Sequence, residues 1–339
     1  MMPERESATA LRRETDLAAC ARPLRVGVLS NRLSTRNRRS MARIDRLLAR
    51  HADVPHAAIE DWACLPDAMD RLAAADLDAI AVNGGDGTVV GMLTELRRRA
   101  PVSVPAVAVL ASGNTNLIAG DVGIPGAPDR ALSRLLAAAG SPGALTLAER
   151  RLIRVEQPGE PARYGFFLGA LAILRAILLT RRILHPLGVN HGLANVCGLG
   201  LGALRVLVGR NTEEWLLTPV PVELAFNDEP SASDDYSVLM ATSLDRLPLG
   251  TRPFWGTGPG TIRTTMVRGP GDRPLRSLLP LLRGRPSLRM ARSGYVSRNA
   301  DRLIIGFEGR FALDGEIYPV ERERPITLSD GGPVRFLRC

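Results

Sequence analysis

Four short apolar runs alternate with segments of helical hydrophobic spacing in the N-terminal part of the chain. Strands that alternate with helices form a parallel sheet with crossover helices, and such sheets bind their ligands at the carboxyl ends of the strands. This pattern predicts an α/β fold for this part of the chain. The predicted strands are Leu24–Leu29, Ala57–Ile59, Ala79–Val82 and Ala106–Leu110, and the predicted helices are Ser40–Arg50, Asp67–Ala75 and Val89–Arg99.

The chain changes character from about Thr146 onward. Strand-like runs that alternate apolar with polar residues dominate, and Pro and Gly separate them, which is typical of antiparallel sheets. One helical region, Leu171–Gly209, interrupts these strands. We therefore predict a second, β-rich antiparallel domain with inserted helices. The expected organisation is a disordered tail over 1–22, the α/β domain over 23–145, the β-rich domain over 146–320, and a C-terminal segment, 321–339, that can return to the first domain.

Every basic residue of this chain is arginine, and the formal net charge is +9. Without lysine, a charged clamp on phosphate has to come from arginine, a metal ion or backbone N–H groups. A basic balance favours an anionic partner. We expect an anionic membrane surface and not nucleic acid, because no basic strand with interleaved aromatic residues is present. Arg268–Pro286, in which arginines flank several leucines, is a candidate membrane-contact loop.

Cysteine spacing and apolar run length indicate the compartment. The four cysteines lie far apart without a Cys-x-x-Cys pair, which argues against a zinc site and a disulfide framework. Phe166–Thr180 and Leu193–Gly209 contain arginine and fall short of the ~20 apolar residues of a spanning helix. The N-terminal residues contain no apolar segment of signal-peptide length. We expect a cytoplasmic protein that associates peripherally with a membrane.

The sequence Gly84-Gly85-Asp86-Gly87-Thr88 follows a predicted strand and opens a predicted helix. Glycines at these positions permit a close backbone approach, and the N–H groups of the loop and helix start can bind nucleotide phosphates. A carboxylate in such a site is suited to holding Mg²⁺ or to accepting a proton from an attacking hydroxyl, which makes Asp86 a candidate for both roles. The alternative interpretation is a tight turn that Asp86 caps.

Two further motifs are weaker when each is taken alone. Gly113-Asn114-Thr115-Asn116 follows the next strand of the same sheet, so it can face the first loop and bind phosphate or ribose; an ordinary polar loop would look the same. Asp314-Gly315-Glu316 lies between two strand-like runs. Asp-Gly in that setting is first of all a hairpin turn.

Together and in this order, the three motifs resemble those of the diacylglycerol kinase catalytic family, which includes sphingosine and ceramide kinases. The family's Gly-Gly-Asp-Gly-Thr signature is present in full at Gly84–Thr88, and its Asp-Gly-Glu corresponds to Asp314–Glu316. The turn after its first strand looks like Asn31, although Arg32 stands where the family has Pro. The resemblance implies a nucleotide-binding α/β domain, a β-rich lipid-binding domain and the cofactors ATP and Mg²⁺. It also implies that Asp86 and Glu316 serve Mg²⁺ binding and proton abstraction.

We therefore expect a lipid kinase that transfers the γ-phosphoryl group of ATP to the hydroxyl of a diacylglycerol-like or sphingoid/ceramide lipid. Asp86 is the favoured base, although the sequence leaves the choice between Asp86 and Glu316 open. The predicted nucleotide-binding residues are Asn31, Gly84, Gly85, Gly87, Thr88, Gly113, Asn114, Thr115, Asn116, Asp314 and Gly315.

Three other hypotheses stay open at this point. The first is an NAD kinase-like enzyme, since that family shares the Gly-Gly-Asp-Gly-Thr loop. The second is a kinase of a soluble alcohol, and the third is a catalytically degenerate protein that binds membranes. The sequence is compatible with a homodimer and contains no feature that requires one.

Overall fold

The computed structural model describes residues 15–16, 22–34, 37–99, 105–113, 115–141, 144–184, 216–271 and 274–339. The strands are β1 Thr15–Asp16, β2 Val26–Asn31, β3 His56–Ile59, β4 Ala79–Gly84, β5 Ala106–Ala111, β6 Thr146–Glu156, β7 Arg163–Gly165, β8 Phe167–Leu171, β9 Val220–Phe226, β10 Ala232–Thr242, β11 Ile262–Arg268, β12 Tyr295–Ala300, β13 Arg302–Gly306, β14 Gly309–Leu313, β15 Glu316–Val320 and β16 Ile326–Arg338. The helices are α1 Asn37–Leu48, α2 Leu65–Ala73, α3 Asp86–Arg99, α4 Leu117–Val122, α5 Pro128–Ala139, α6 Ala172–Leu184, α7 Pro274–Leu282 and α8 Leu288–Arg292.

The N-terminal strands form a parallel sheet in the order β3-β2-β4-β5. Successive residues of a strand point to opposite faces, so each strand contributes to two cores. On one face Val28 and Ala81 pack against α1 and α5, and on the other Leu29 and Val82 pack against α2 and α3. Since β2 and β4 are buried along their whole length, they read as nearly continuous apolar runs in the sequence.

The remaining strands pair antiparallel. Their main order is β15-β14-β8-β10-β9-β13-β16, β11 and β12 extend from β10, and β6 pairs with β16, β7 and β1. A second core fills this region, with Phe311, Leu303 and Leu328 fully buried in it. The predicted combination of a parallel α/β domain with an antiparallel β-rich region is thus confirmed.

The last strand, β16, joins the two sheets. Its first residues pair antiparallel with β13, its whole length pairs antiparallel with β6, and Phe336 pairs in parallel with Val107 of β5. A register shift lies between Asp330 and Pro333, where Gly332 has a φ of 88°. Such a bulge bends a strand locally, which lets one strand serve both sheets.

The structure corrects the sequence-based prediction at two places. Arg268–Pro286, expected to be an exposed loop, contains helix α7 with Leu281 buried, because its leucines recur at helical spacing. The helical insertion begins at Ala172, since Leu171 still belongs to β8. The rest of the predicted insertion, residues 185–209, lies outside the described residues, as does most of the predicted N-terminal tail. No helix within the described ranges is long and apolar enough to cross a membrane.

Candidate active site

The two glycine loops meet at the carboxyl edge of the parallel sheet. A Cβ atom added at Gly113 would lie 2.5 Å from the Cα of Gly85, and one added at Gly85 would lie 3.1 Å from the Cα of Gly113. Real Cβ atoms are almost never found as close to a backbone atom as 2.5 Å, so Gly113 has to be glycine for the loops to touch. The backbones following β4 and β5 therefore form one continuous surface, as their order in the sheet predicted.

Asp86, the first residue of α3, is buried at the junction of these loops. Its two carboxylate oxygens accept hydrogen bonds from the backbone N–H groups of Leu117 and Ile118, at 2.9 Å each, in the first turn of α4. Burial raises the pKa of Asp86, and these N–H donors oppose that shift. Helix α4 therefore determines the orientation of the carboxylate that the sequence singled out.

Asn31 links the first strand to the glycine loop. Its Nδ2 donates to Oγ1 of Thr88 at 2.8 Å, and its Oδ1 accepts from the N–H of Leu33 at 2.8 Å. Since both ends of the amide are bonded within the protein, Asn31 positions the loop. Thr88 in turn fills the space in front of Gly84, where an added Cβ would lie 2.5 Å from the Thr88 side chain.

Sequence reasoning missed a second layer of buried polar residues beneath these loops. Asn37 Nδ2 donates to the carbonyl oxygens of Asn31 and Asn83, at 2.7 and 2.8 Å. The Asn83 side chain bonds to the hydroxyls of Ser30 and Ser112. These bonds tie together the ends of β2, β4 and β5. An available signal was the polar residue that ends each apolar run.

Asn116 closes the second loop on itself. It adopts the left-handed conformation, with φ of 50°, and its amide both accepts from the N–H of Gly113 and donates to its carbonyl, at 2.8 and 2.9 Å. Thr115 is exposed, and Gly87 has open space where a Cβ would lie. Asn114 lies outside the described residues. Among the residues of this loop that were predicted to bind the nucleotide, Asn116 has a structural role, since its side chain holds the loop in shape.

Asp314 reaches the same site from the other sheet. Asp314 and Gly315, with φ of 46° and 99°, form the two-residue turn between β14 and β15 that the sequence predicted. The Asp314 carboxylate folds inward and accepts from the N–H groups of Phe166 and Phe167, at 2.7 and 3.0 Å. Burial raises its pKa to about 8, and the charge of Asp86 acts in the same direction. The site therefore contains the buried carboxylate of Asp86 and the carboxylate of the half-buried Asp314, whose pKa the charge of Asp86 helps to raise.

Glu316, in contrast, is an exposed residue at the start of β15. The sequence predicted Asp86 and Glu316 as the catalytic and metal-binding acids and Asp314 as a nucleotide-binding residue; in the structure, the charge of Asp86 contributes to the raised pKa of Asp314. The sequence did not distinguish them, because an Asp-Gly turn explains Asp314 without any chemistry.

The acidic residues of this site can hold a metal ion only if groups other than protein side chains complete its coordination. Within the described residues no three His, Cys, Asp or Glu side chains come together to hold a metal. Each oxygen of Asp86 already accepts an N–H, which leaves it capacity for one more interaction. Mg²⁺ bound here would therefore rely on phosphate and water oxygens, which is how Mg²⁺ is usually held beside nucleotides.

Comparison with known proteins gives a family match for the N-terminal part of the chain. Residues 25–146 match the family model described as the diacylglycerol kinase catalytic domain. A crystal structure of a diacylglycerol kinase from Bacillus anthracis str. Sterne is similar over 93% of this chain and 96% of that one, with a TM-score of 0.59 and 15% identity. Yeast NADH kinase, solved with NADH, is similar over 94% of this chain and 84% of that one, with a TM-score of 0.50 and 11% identity. No curated protein matches the sequence significantly.

The family match confirms the resemblance that the three motifs predicted, and it supports a phosphotransferase. The structural likenesses, at 15% and 11% identity, establish the fold alone. They cover nearly the whole chain, so the association of the parallel sheet with the antiparallel one belongs to the shared fold.

Proposed function

We propose that this chain, which through residues 25–146 belongs to the diacylglycerol kinase catalytic family, is an ATP-dependent kinase of a lipid hydroxyl. The acceptor is a diacylglycerol-like or sphingoid/ceramide lipid. The observation that carries this proposal is the contact of the two glycine loops at Gly85 and Gly113, with the carboxylate of Asp86 buried at their junction and its charge acting on Asp314 of the second sheet. Phosphate binding and proton transfer are the two functions that phosphoryl transfer to an alcohol requires.

The glycine loops are the proposed site of the ATP phosphates. Gly85 and Gly113 keep the loop surface free of side chains, and Gly87 leaves open space at the start of α3. Backbone N–H groups at such a strand-to-helix junction bind phosphate oxygens without a lysine. Asn31, Thr88 and Asn116 contribute by holding the loops in shape, since their side chains bond to one another and to backbone groups.

The carboxylate pair is the proposed acceptor of the hydroxyl proton. As the lipid oxygen bonds to the γ-phosphorus, the bond from phosphorus to the bridging oxygen of ADP breaks, and the hydroxyl proton passes to the pair. An acid whose pKa lies near the working pH is suited to this role, and burial moves both acids in that direction.

Mg²⁺, when bound with ATP, would neutralise charge on the phosphate oxygens, with Asp86 and the exposed Glu316 as its candidate protein ligands. The N–H groups in the first turn of α4 orient the carboxylate of Asp86 independently of a bound metal ion.

The acceptor is proposed to enter from the side of the second sheet. The N–H groups that hold Asp314 belong to Phe166 and Phe167 at the start of β8, and β8 leads directly into α6. Helix α6 presents Leu174 to the protein core and exposes 40% of Leu178. An apolar helix that begins one strand away from the carboxylates supports a substrate with acyl or sphingoid chains.

The test is transfer of labelled γ-phosphate from ATP and Mg²⁺ to micellar diacylglycerol, monoacylglycerol, sphingosine or ceramide, with NAD and no-lipid reactions alongside. We expect one lipid class to be labelled, and Asp86→Asn to reduce labelling at least 100-fold, on the order of the loss of a general base. Asp228→Asn, in the exposed turn after β9, is the matched control and should keep full activity. Labelling of NAD alone, or full activity in Asp86→Asn, would contradict the proposal.

A further inference from the structure

Helices α7 and α8 carry a concentration of positive charge. Residues 274–292 contain five arginines and no acidic residue. Arg276, Arg283 and Arg285 are exposed, and none of them forms an ion pair with any of the residues that the structure describes. Elsewhere the protein often pairs its arginines, for example Arg150 with Asp121. The charges of these three arginines are therefore not neutralised by acidic side chains in the part of the chain that the structure describes.

The same two helices expose leucine on their outer face. Ser277 and Leu281 of α7 and Met290 of α8 are buried and attach the helices to the core. Leu279 lies on the opposite side of α7 and is 54% exposed, and Leu288 at the start of α8 is 84% exposed. Arginine and leucine on one outward face are the composition of an interfacial membrane-binding element.

A small cavity lies between the two helices. It has a volume of about 150 Å³. Guanidinium and hydroxyl groups in its wall are hydrogen-bond donors that suit phosphate oxygens. Its lining consists of Arg276, Ser277, Pro280, Ser287, Arg289, Met290 and Ser293.

One stretch of chain connects this surface to the candidate active site. The N–H of Arg252 donates to the carbonyl of Leu282, at the end of α7, at 2.8 Å. A few residues earlier, the turn Pro248–Gly250 packs against α4, the helix that holds Asp86. Leu249 in that turn is 58% exposed. The arginine and leucine surface is thus a neighbour of the candidate active site.

We propose that α7 and α8 dock onto an anionic phospholipid bilayer. Leu279 and Leu288 enter the interface, the arginines face the negative surface, and the cavity between the helices takes a headgroup phosphate. A nucleic acid would match the charge but not the leucines, and this face carries no aromatic residue on which a base could stack. The inference rests on the proposed function only in that a lipid kinase has to reach a substrate held in a bilayer.

The test is sedimentation of the full chain with phosphatidylcholine vesicles that contain or lack phosphatidylglycerol. We expect binding to the anionic vesicles and little binding to the neutral ones. Arg276→Gln with Arg283→Gln should weaken binding about 30-fold, since each arginine near the surface contributes about 5-fold. Leu279→Ser with Leu288→Ser should also weaken it. Arg302→Gln with Arg322→Gln removes the same charge from exposed positions elsewhere and should change binding little.

Several results would overturn the docking surface. One is an equal loss of vesicle binding in the Arg302 and Arg322 control, and another is undiminished binding in both α7–α8 double variants. A third is complete displacement from the vesicles by millimolar inorganic phosphate at unchanged ionic strength, which would mean that the surface is a site for free phosphate. If the α7–α8 double variants lost binding to a single-stranded RNA but kept their binding to vesicles, the surface would bind nucleic acid instead. Kinase activity is measured separately on a short-chain diacylglycerol in solution, so vesicle binding without any lipid phosphorylation would refute the proposed function and leave the docking surface standing.

Discussion

At the residue scale, Gly113 has no room for a side chain, because an added Cβ would lie against the backbone of Gly85. We expect Gly113→Ala to push the two loops apart and to raise the KM for ATP at least tenfold. Gly120→Ala is the matched control, because Gly120 lies in α4 with open space at its Cβ position. There alanine should keep activity and stabilise the helix by up to about 1 kcal/mol. Kinetics and thermal unfolding of both variants would check this, and unchanged ATP affinity in Gly113→Ala would contradict it.

Asp314 should make the stability of the protein depend on pH. Burial raises the pKa of this acid to about 8, so the folded state binds its proton more tightly than the unfolded chain does. The folded state then holds one extra proton between the ordinary pKa of aspartic acid, about 4, and a pH of about 8. Within that window the free energy of unfolding falls as pH rises, by up to about 1.4 kcal/mol per pH unit.

Urea unfolding at pH 5, 6, 7 and 8 measures this slope. Asp314→Asn carries no titratable group and should flatten it, whereas Asp228→Asn, at an exposed turn, should leave it as it is. A slope that persists in Asp314→Asn would assign the proton to another group, with Asp86 as the first candidate because burial also raises its pKa.

The residues of the site differ in how far the sequence revealed them. Asp86 stood out because a carboxylate among three glycines is unusual in a phosphate loop. Asp314 did not, because its inward turn depends on the N–H groups of Phe166 and Phe167, far away in the chain. Asn37 was missed for the same reason, since its partners are backbone carbonyls of two different strands.

At the element scale, α4 is fixed at both ends. Its first turn binds the carboxylate of Asp86, and Asp121 near its last turn forms an ion pair with Arg150 of β6 at 2.7 Å. The side chains of Asp121 and Arg150 are only 1% and 12% exposed. Asp121 also accepts from the N–H of Asp245, and Asp245 binds Arg263 of β11. Helix α4 therefore connects the carboxylate of Asp86, at the edge of the parallel sheet, to strands β6 and β11 of the antiparallel sheet.

Asp121→Ala should consequently affect both stability and catalysis. Breaking a buried ion pair from one side costs about 3–5 kcal/mol when the remaining charge has no other partner. Arg150 keeps a second ion pair with Asp245 at 2.9 Å, so we expect Asp121→Ala to cost less than that. We also expect kcat to fall more than the affinity for ATP, because Asp86 loses its orientation while the glycine loops remain. Glu156→Gln removes one member of an exposed pair with Arg154 and should cost less than about 1 kcal/mol.

Denaturant unfolding and steady-state kinetics separate these effects. If Asp121→Ala is destabilised but has wild-type kcat at a temperature where it is fully folded, α4 has no role in positioning Asp86. If instead kcat falls and the pH profile of kcat shifts, the helix acts on the carboxylate as inferred.

The elements that the sequence predicted are those with local signals. Buried parallel strands such as β4 and β5 are recognisable in the sequence as apolar runs, and both were predicted. The sequence did not indicate β16, because its middle, Ser329–Pro333, is polar and glycine-rich like a turn. Only pairing with β6 on one side and with β13 and β5 on the other makes it a strand.

At the scale of the whole molecule, β16 makes the two sheets one folding unit. Its Phe336 is fully buried, pairs with Val107 of the parallel sheet, and packs against Phe166 with ring centroids 5.9 Å apart. The N–H of Phe166 is one of the two donors to the carboxylate of Asp314, and the other is the N–H of Phe167, the first residue of β8. Phe166 and Phe336 belong to one core that also contains Val82 of the parallel sheet and Met240 of β10.

Phe336→Ala should therefore lower the stability of both regions together. We expect a loss of about 3–5 kcal/mol, as for other buried aromatic residues replaced by alanine. Hydrogen exchange under native conditions, read separately on β4 and on β10, would measure the opening free energy of each sheet. Both should fall by similar amounts, because β16 is hydrogen-bonded into both and neither sheet keeps its shared edge when that strand is released. Arg335→Ala, at the neighbouring exposed position of the same strand, is the control and should change neither. A fall confined to β10, with β4 unaffected, would mean that the parallel sheet folds independently of its last strand, and that catalysis depends on two units that meet only after each has folded.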